Sequence, residues 1–301
     1  MATAFEVSQS GADMSVSNSP TVAEAVAGEE LFFESHNLSA ATTIVLLHGL
    51  LSSRLEWEYV IPFLTDYHVL AVDLPGHSGS LHIQPSRINA MANRIADLIK
   101  RRAHSGDSTD AKAHVVGLSM GGFVALDLAR RYPERCLSVF VTGASPFEGL
   151  FAWMAGHPRV IYTIMYAIDS LPDEVYNYIA RKRGLLPHDE LRKEMRASRK
   201  WETVSDVYAS ILELGWAEIE GINQVRTLNI AGGLQDDVES TRRVGKVWRD
   251  NGTTQTLGSR AVVVRDAVHA WDLQMPELFA EGIKAWIEGR ELPDGFEDLQ
   301  H

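Results

Sequence analysis

The residues GLSMG at 117–121 place a serine, Ser119, between two glycines at a spacing that suits nucleophilic catalysis. An apolar run precedes this segment and a helix-forming run follows it, which predicts a strand, a sharp turn and a helix with the serine at the turn. Glycine on each side permits the close approach of strand and helix that such a turn requires. The motif alone is a weak signal, because it arises by chance in about one chain of this length in ten.

A serine hydroxyl is a poor nucleophile at neutral pH and needs a base, which in turn needs a carboxylate to hold its tautomer. Among the 11 histidines, His269 is favoured as the base because it follows the last predicted strand. Two adjacent aspartates follow the preceding strand. Asp236 has the favoured strand-end spacing, and Asp237 remains the alternative, although it suits the start of the next helix, where a carboxylate favours the dipole. The order serine, aspartate, histidine predicts a catalytic triad.

The sequence HGLL at residues 48–51 follows an early predicted strand and suggests a loop that binds an oxyanion. The charge that develops on a substrate oxygen during acyl transfer needs two aimed N–H donors. We expect these donors to be the backbone amides of Leu50 and of Met120, which starts the helix after the serine. Gly49 allows close approach at this loop, and His48 is a candidate for contact with the substrate.

The elements that must position these residues alternate between strand and helix. Runs such as TTIVLL at 42–47 and HVLAV at 68–72 are apolar without polar alternation, which predicts strands buried on both faces. Strands that alternate with helices indicate an α/β fold, with a mostly parallel sheet and helices on both faces. Because the carboxyl ends of parallel strands meet at one edge, the serine, aspartate and histidine are predicted to line one crevice.

The alternation stops near Pro146, and residues 147–222 contain no predicted strand. Helical stretches are predicted there at about 149–168, 172–184, 188–200 and 202–215. This segment is predicted to form a helical cap inserted into the α/β core. The core is expected at 29–146 and 223–291, with a disordered N-terminal tail over 1–28 and an acidic tail over 292–301.

The cap is rich in aromatic residues and methionine, and an apolar insert beside a catalytic turn is typical of a lid. Phe147 and Trp153 in the cap, and Trp271 after His269, are therefore candidates for contact with an apolar small-molecule substrate. The alternative, that each of these aromatics only packs the interior, is the ordinary role of such residues.

Composition and charge indicate which kinds of binding partner are expected for this chain. A net charge of −12 disfavours nucleic acid. No apolar run reaches transmembrane length and no basic, apolar leader is present, so we expect no membrane insertion and a cytoplasmic location. The predicted chemistry requires neither a metal nor a cofactor, and the cap could support a homodimer.

Together these motifs resemble the α/β-hydrolase superfamily over about residues 30–290. The segments that carry the resemblance are HG at 48–49, DLPGHS at 73–78, GLSMGG at 117–122, Asp236 and His269. The resemblance implies an α/β-hydrolase fold with a helical cap. Ser119 argues against the branches with an aspartate nucleophile, and Val268 departs from the glycine that often precedes the histidine. Residues 268–274 also resemble fungal hydrolases of natural-product pathways.

The resulting hypothesis is a serine hydrolase that cleaves a carboxylic ester, lactone or thioester through an acyl-enzyme. Two alternatives remain open on the same fold. The triad could instead serve hydrolysis of a carbon–carbon bond, or a cyclisation or elimination in natural-product metabolism. The chain could also be a ligand sensor without catalytic activity.

Overall fold

The computed structural model describes residues 22–24, 30–104 and 110–299 of the chain. The strands in these residues form one nine-stranded sheet in the order β1-β2-β4-β3-β5-β6-β7-β8-β9. They are β1 Val22–Glu24, β2 Phe33–His36, β3 Thr43–Leu47, β4 His68–Val72, β5 Ala113–Leu118, β6 Cys136–Thr142, β7 Thr227–Gly232, β8 Arg260–Val264 and β9 Phe296–Asp298. Neighbouring strands from β4 through β8 pair in parallel, whereas β1–β2, β2–β4 and β8–β9 pair antiparallel. The predicted α/β class is confirmed.

The central strands are buried on both faces because each packs against two apolar layers. On β3, Val45 and Leu47 enter one layer, while Ile44 and Leu46 enter the other. This alternation follows from the two-residue period of a strand. Every residue of β3 is buried, which explains why its sequence shows no polar alternation.

The core helices cover both faces of the sheet. They are α1 Ile88–Arg102, α2 Met120–Arg131, α9 Val238–Asp250, α10 Gly252–Leu257 and α11 Pro276–Glu288. The apolar layer that contains Val45 and Leu47 also includes Ile95 of α1, Phe123 of α2 and Val244 of α9. Phe279 and Ile283 of α11 pack in the opposite layer, which contains Ile44 and Leu46. No helix in the described part of the chain is long and apolar enough to cross a membrane.

Residues 147–222, all of which are described, contain helices and no strand. They are α3 Gly149–Ala155, α4 Pro158–Asp169, α5 Asp173–Lys182, α6 Asp189–Ser198, α7 Trp201–Ile211 and α8 Trp216–Glu220. The single helix predicted over 149–168 is wrong, because the helix is interrupted at Gly156 and His157. Pro158 then occupies the first turn of α4, where its missing N–H costs no helical hydrogen bond.

Residues 54–63 form two 3₁₀ segments, Arg54–Trp57 and Ile61–Phe63, the second with proline in its first turn. The expected tail beyond residue 292 includes β9, which pairs with β8. The predicted N-terminal tail over 1–28 lies outside the described residues except for the three that form β1.

Candidate active site

Ser119 lies at the turn between β5 and α2 with a backbone of φ 53° and ψ −117°. A positive φ on a non-glycine residue costs about 1–3 kcal/mol, so the surrounding structure must hold it there. A Cβ on Gly117 would lie 2.3 Å from the Gly121 carbonyl oxygen, and a Cβ on Gly121 would lie 2.1 Å from that of Leu47. Only glycine fits at both positions, which is why the motif brackets the serine with glycines.

His269 and Asp236 meet at the same edge of the sheet. Nδ1 of His269 lies 2.5 Å from Oδ1 of Asp236, whose Oδ2 accepts a 2.7 Å hydrogen bond from the Gly232 amide. Asp237 instead caps α9, because its Oδ1 accepts the Ser240 amide at 3.0 Å. The structure therefore brings Asp236, and not Asp237, to the histidine.

Gly143 is a residue of this site that the sequence analysis missed. It follows β6 with a φ of 63°, and a Cβ there would lie 2.6 Å from Cε1 of His269 and 3.4 Å from Oδ1 of Asp236. Its neighbour Thr142 accepts the Ser119 amide at 2.9 Å. The end of β6 thus lies between the serine and the histidine. In the sequence, the one indication of this role is a glycine directly after a buried strand.

The electrostatic surroundings favour a protonated His269. Burial alone would lower the pKa of its imidazole, but the hydrogen bond and charge of Asp236, with the charge of Glu56, raise it above 6.5. Among the described residues, the Ser119 hydroxyl has no hydrogen bond to this imidazole. Catalytic hydrogen bonds are often long in a resting site and tighten when substrate binds.

The loop of residues 48–51 lies directly against Ser119. A Cβ on Gly49 would lie 3.7 Å from the Cβ of Ser119, and Leu51 has a φ of 65°. The Gly49 amide donates to Oε2 of Glu56 at 2.8 Å. Met120 is the first residue of α2, and the first amides of a helix have no partner within that helix. The loop and the helix start thus flank the serine, as the prediction of Leu50 and Met120 as donors requires.

His48, a candidate for substrate contact, is buried and hydrogen-bonded within and behind this loop. Its side chain is fully buried, its Nε2 accepts the Leu74 amide at 3.0 Å, and its Nδ1–H donates to the Gly49 carbonyl at 2.7 Å. These bonds require the neutral ring. Burial, with the neighbouring His77, lowers the pKa of His48 well below 6.5.

The three aromatic candidates occupy different places. Phe147 packs edge-on against Phe123 of α2, with ring centroids 5.4 Å apart. Trp153 is 53% exposed and stacks on His157 at the surface of the helical segment 147–222. Trp271 is fully buried and its indole N–H donates to Oγ1 of Thr142 at 2.8 Å. Trp271 was a candidate for contact with the substrate, but it lies in the core, where Phe279 of α11 packs against it.

Gln274 and Gln235 hold the His269 loop and were also missed. The Gln274 side chain accepts the Val268 amide at 2.8 Å and donates to the Asp266 carbonyl at 2.9 Å. The Gln235 side chain accepts the His269 amide at 2.9 Å. The Gln274 contacts lie within the loop that follows β8, whereas the Gln235 contact joins that loop to the one after β7.

The α/β-hydrolase architecture is defined by a parallel sheet with a strained serine after one strand. A histidine bound to a carboxylate follows a later strand of the same sheet. Residues 42–234 match the family described as alpha/beta hydrolase fold. An AB hydrolase superfamily protein of Gibberella zeae is 32% identical over 275 residues, covering 89% of this chain and 87% of that protein. The chain belongs to the α/β-hydrolase family.

Two further comparisons relate the chain to esterases. A pimeloyl-[acyl-carrier protein] methyl ester esterase of Neisseria meningitidis serogroup B is 36% identical over 106 residues, which cover 35% of this chain and 37% of the esterase. The solved structure of a thermophilic esterase from Thermogutta terrifontis superposes with a TM-score of 0.62 at 21% identity, covering 90% of this chain and 99% of that one. The first likeness is partial, and the second shows the fold alone.

Proposed function

We propose that this α/β hydrolase is a serine hydrolase that cleaves a carboxylic ester, lactone or thioester of an apolar small molecule. The observation that carries the proposal is the 2.5 Å contact between His269 and Asp236 at the sheet edge that also holds the strained Ser119. A carboxylate on Nδ1 leaves Nε2 free to accept the proton of a serine hydroxyl.

The proposed reaction has two halves. The Ser119 oxygen attacks the carbonyl carbon while His269 takes its proton, and the amides of Leu50 and Met120 stabilise the oxyanion. The bond to the leaving group then breaks, and the imidazolium returns the proton to that group. Water next attacks the acyl-enzyme with His269 as base, which releases the acid and restores the serine.

The apolar character of the cap supports an apolar substrate. Leu150, Phe151 and Trp153 of α3 are each about half or more exposed. Phe147 precedes α3 and packs against the helix that begins after Ser119. The partial likeness to a methyl ester esterase is consistent with ester chemistry.

Covalent labelling tests the proposal. A fluorophosphonate should modify the folded wild-type protein at Ser119 and leave Ser119→Ala unmodified, with intact-mass and peptide mass spectrometry as the readout. A series of chromogenic esters of increasing acyl length should show hydrolysis that Ser119→Ala abolishes. Absence of labelling at Ser119 would contradict the proposal, and labelling without turnover of any ester, lactone or thioester would favour carbon–carbon bond chemistry or a ligand sensor.

A further inference from the structure

Two buried carboxyl groups outside the predicted triad lie behind the active site. Glu56, in the 3₁₀ segment Arg54–Trp57, is 5% exposed, and Asp272, three residues after His269, has no exposed surface. Within the described part of the chain neither forms a salt bridge. Burying a carboxyl group without a cation is costly, so the pair requires a specific explanation.

Glu56 directly contacts the loop predicted to bind the oxyanion. Its Oε2 accepts the Gly49 amide at 2.8 Å. A Cβ on Gly49 would lie 3.8 Å from Oε1 of Glu56 and 3.7 Å from the Cβ of Ser119. The carboxyl group therefore holds the peptide that directly precedes the Leu50 amide, in a loop that lies against the serine.

Asp272 is the more deeply buried of the two carboxyl groups. Both of its carboxyl oxygens are buried without a hydrogen-bond partner. Burial, and next the charge of Glu56, raise the pKa of Asp272 well above its ordinary value. Burial likewise raises the pKa of Glu56 to about 7, against the opposing effects of its bond to Gly49 and the nearby His269.

The other titratable groups around Glu56 do not neutralise it. Tyr176 of the cap is near enough for Glu56 to contribute to its raised pKa, after burial and other neighbours. The Arg54 guanidinium, two residues before Glu56, is instead bound to Glu34, Asp73 and Glu194. His269 is thus the basic group that the Glu56 charge affects.

We propose that Glu56 is a positioning residue, which holds the His48–Gly49 peptide directly before the Leu50 amide and places a negative charge near His269. This inference rests on the proposed function, because it assigns Glu56 a role toward the Ser119–His269 pair. An ionised Glu56 stabilises the imidazolium that forms when Ser119 attacks. A protonated Glu56 still contacts the loop but no longer supplies the charge.

Three variants separate these roles. Glu56→Gln retains a hydrogen-bond acceptor for Gly49 but removes the charge, and Glu56→Leu removes both. Asp272→Asn replaces the second buried acid by an amide that does not titrate. Glu58→Gln is the matched control, since that carboxyl group is 58% exposed and pairs with His188 at the surface. Thermal unfolding of each variant checks that it is folded.

The readout is the second-order rate of fluorophosphonate labelling at Ser119, and kcat/KM on a chromogenic ester, from pH 5 to 9. Glu56→Gln should move the acid limb to lower pH, because loss of the negative charge lowers the pKa of His269. Its plateau should fall about tenfold, and that of Glu56→Leu about 100-fold, the effect of one misplaced oxyanion donor. Asp272→Asn and Glu58→Gln should keep wild-type plateaus within about threefold.

The failures of the two proposals are distinguishable. If wild-type protein is not labelled at Ser119, the proposed function is wrong. If wild type is labelled, and Glu56→Gln is folded with an unchanged acid limb and plateau, the role of Glu56 is overturned. A loss of rate in Glu56→Gln with an unchanged acid limb would likewise overturn the electrostatic part, and a wild-type plateau in Glu56→Leu would overturn the positioning part.

Discussion

Oδ1 of Asp236 lies 2.5 Å from Nδ1 of His269, while the adjacent Asp237 caps α9 through Ser240. Two neighbouring aspartates thus have separate tasks that their sequence does not distinguish. The first orients a ring, and the second satisfies the amides of a helix start. This division allows a matched pair of variants.

Asp236→Asn should lower kcat/KM about 10⁴-fold without unfolding the protein, because an amide can hold the imidazole in the wrong tautomer. Asp237→Asn should leave kcat/KM and the melting temperature nearly unchanged, since asparagine caps a helix as well as aspartate does. Steady-state hydrolysis and thermal unfolding measure both effects. Equal losses of activity in the two variants would contradict the assignment of Asp236.

Gly143→Ala should reduce both stability and activity. The new Cβ would lie 2.6 Å from the His269 ring, and misplacement of a catalytic group by about 1 Å can cost about 100-fold in rate. Gly258→Ala is the control, because Gly258 also has a positive φ, 75°, but no atom beyond its adjacent residues lies within 4 Å of its Cβ position. That variant should lose about 1–2 kcal/mol of stability with unchanged kcat/KM. Identical kinetics of the two variants would show that the contact with His269 is unimportant.

The pH dependence of hydrolysis should show an acid limb with its midpoint above pH 6.5. Burial opposes protonation of His269, but Asp236 and Glu56 together raise its pKa above the ordinary value. Because the base must be neutral to accept the serine proton, kcat/KM falls as pH drops through that pKa. Profiles of kcat/KM for the wild-type protein test this, and a midpoint clearly below 6.5 would be inconsistent with the arrangement.

The buried histidines should make the fold less stable in mild acid. Burial lowers the pKa of His77 to about 4, so between pH 4 and 6.5 the unfolded chain binds a proton that the folded chain excludes. The contribution of His77 to stability is therefore complete above 6.5 and declines toward pH 4, by on the order of 3 kcal/mol. Glu56 acts oppositely, because its pKa is raised to about 7 and folding favours its protonated form.

A difference measurement isolates the histidine. The free energy of unfolding in urea should be compared for wild type and His77→Asn at pH 5 and pH 7. The contribution of Glu56 is common to both proteins and cancels. The wild-type protein should lose more stability than the variant between pH 7 and pH 5, and parallel losses would contradict the prediction for His77.

Local sequence determined those features that depend on neighbouring residues. Glycines at 117 and 121 are required because strand and helix almost touch at Ser119, so the turn could be predicted from the motif. The buried strands could be predicted from unbroken apolar runs. The single helix predicted at 149–168 is wrong, because one helix ends before Gly156 and a second begins at Pro158.

Tertiary structure decided the features that depend on which loops meet. Asp236 binds His269, and Gly143 lies against that ring, because the loops after three different strands meet at one edge of the sheet. The place of Trp271 in the core depends on α11, which covers it. Glu56 and Asp272 are more than 200 residues apart in sequence, and their pKa values are raised because the fold buries both carboxyl groups. A motif fixes the geometry of a few consecutive residues, whereas burial and charge are set by every element that packs around them.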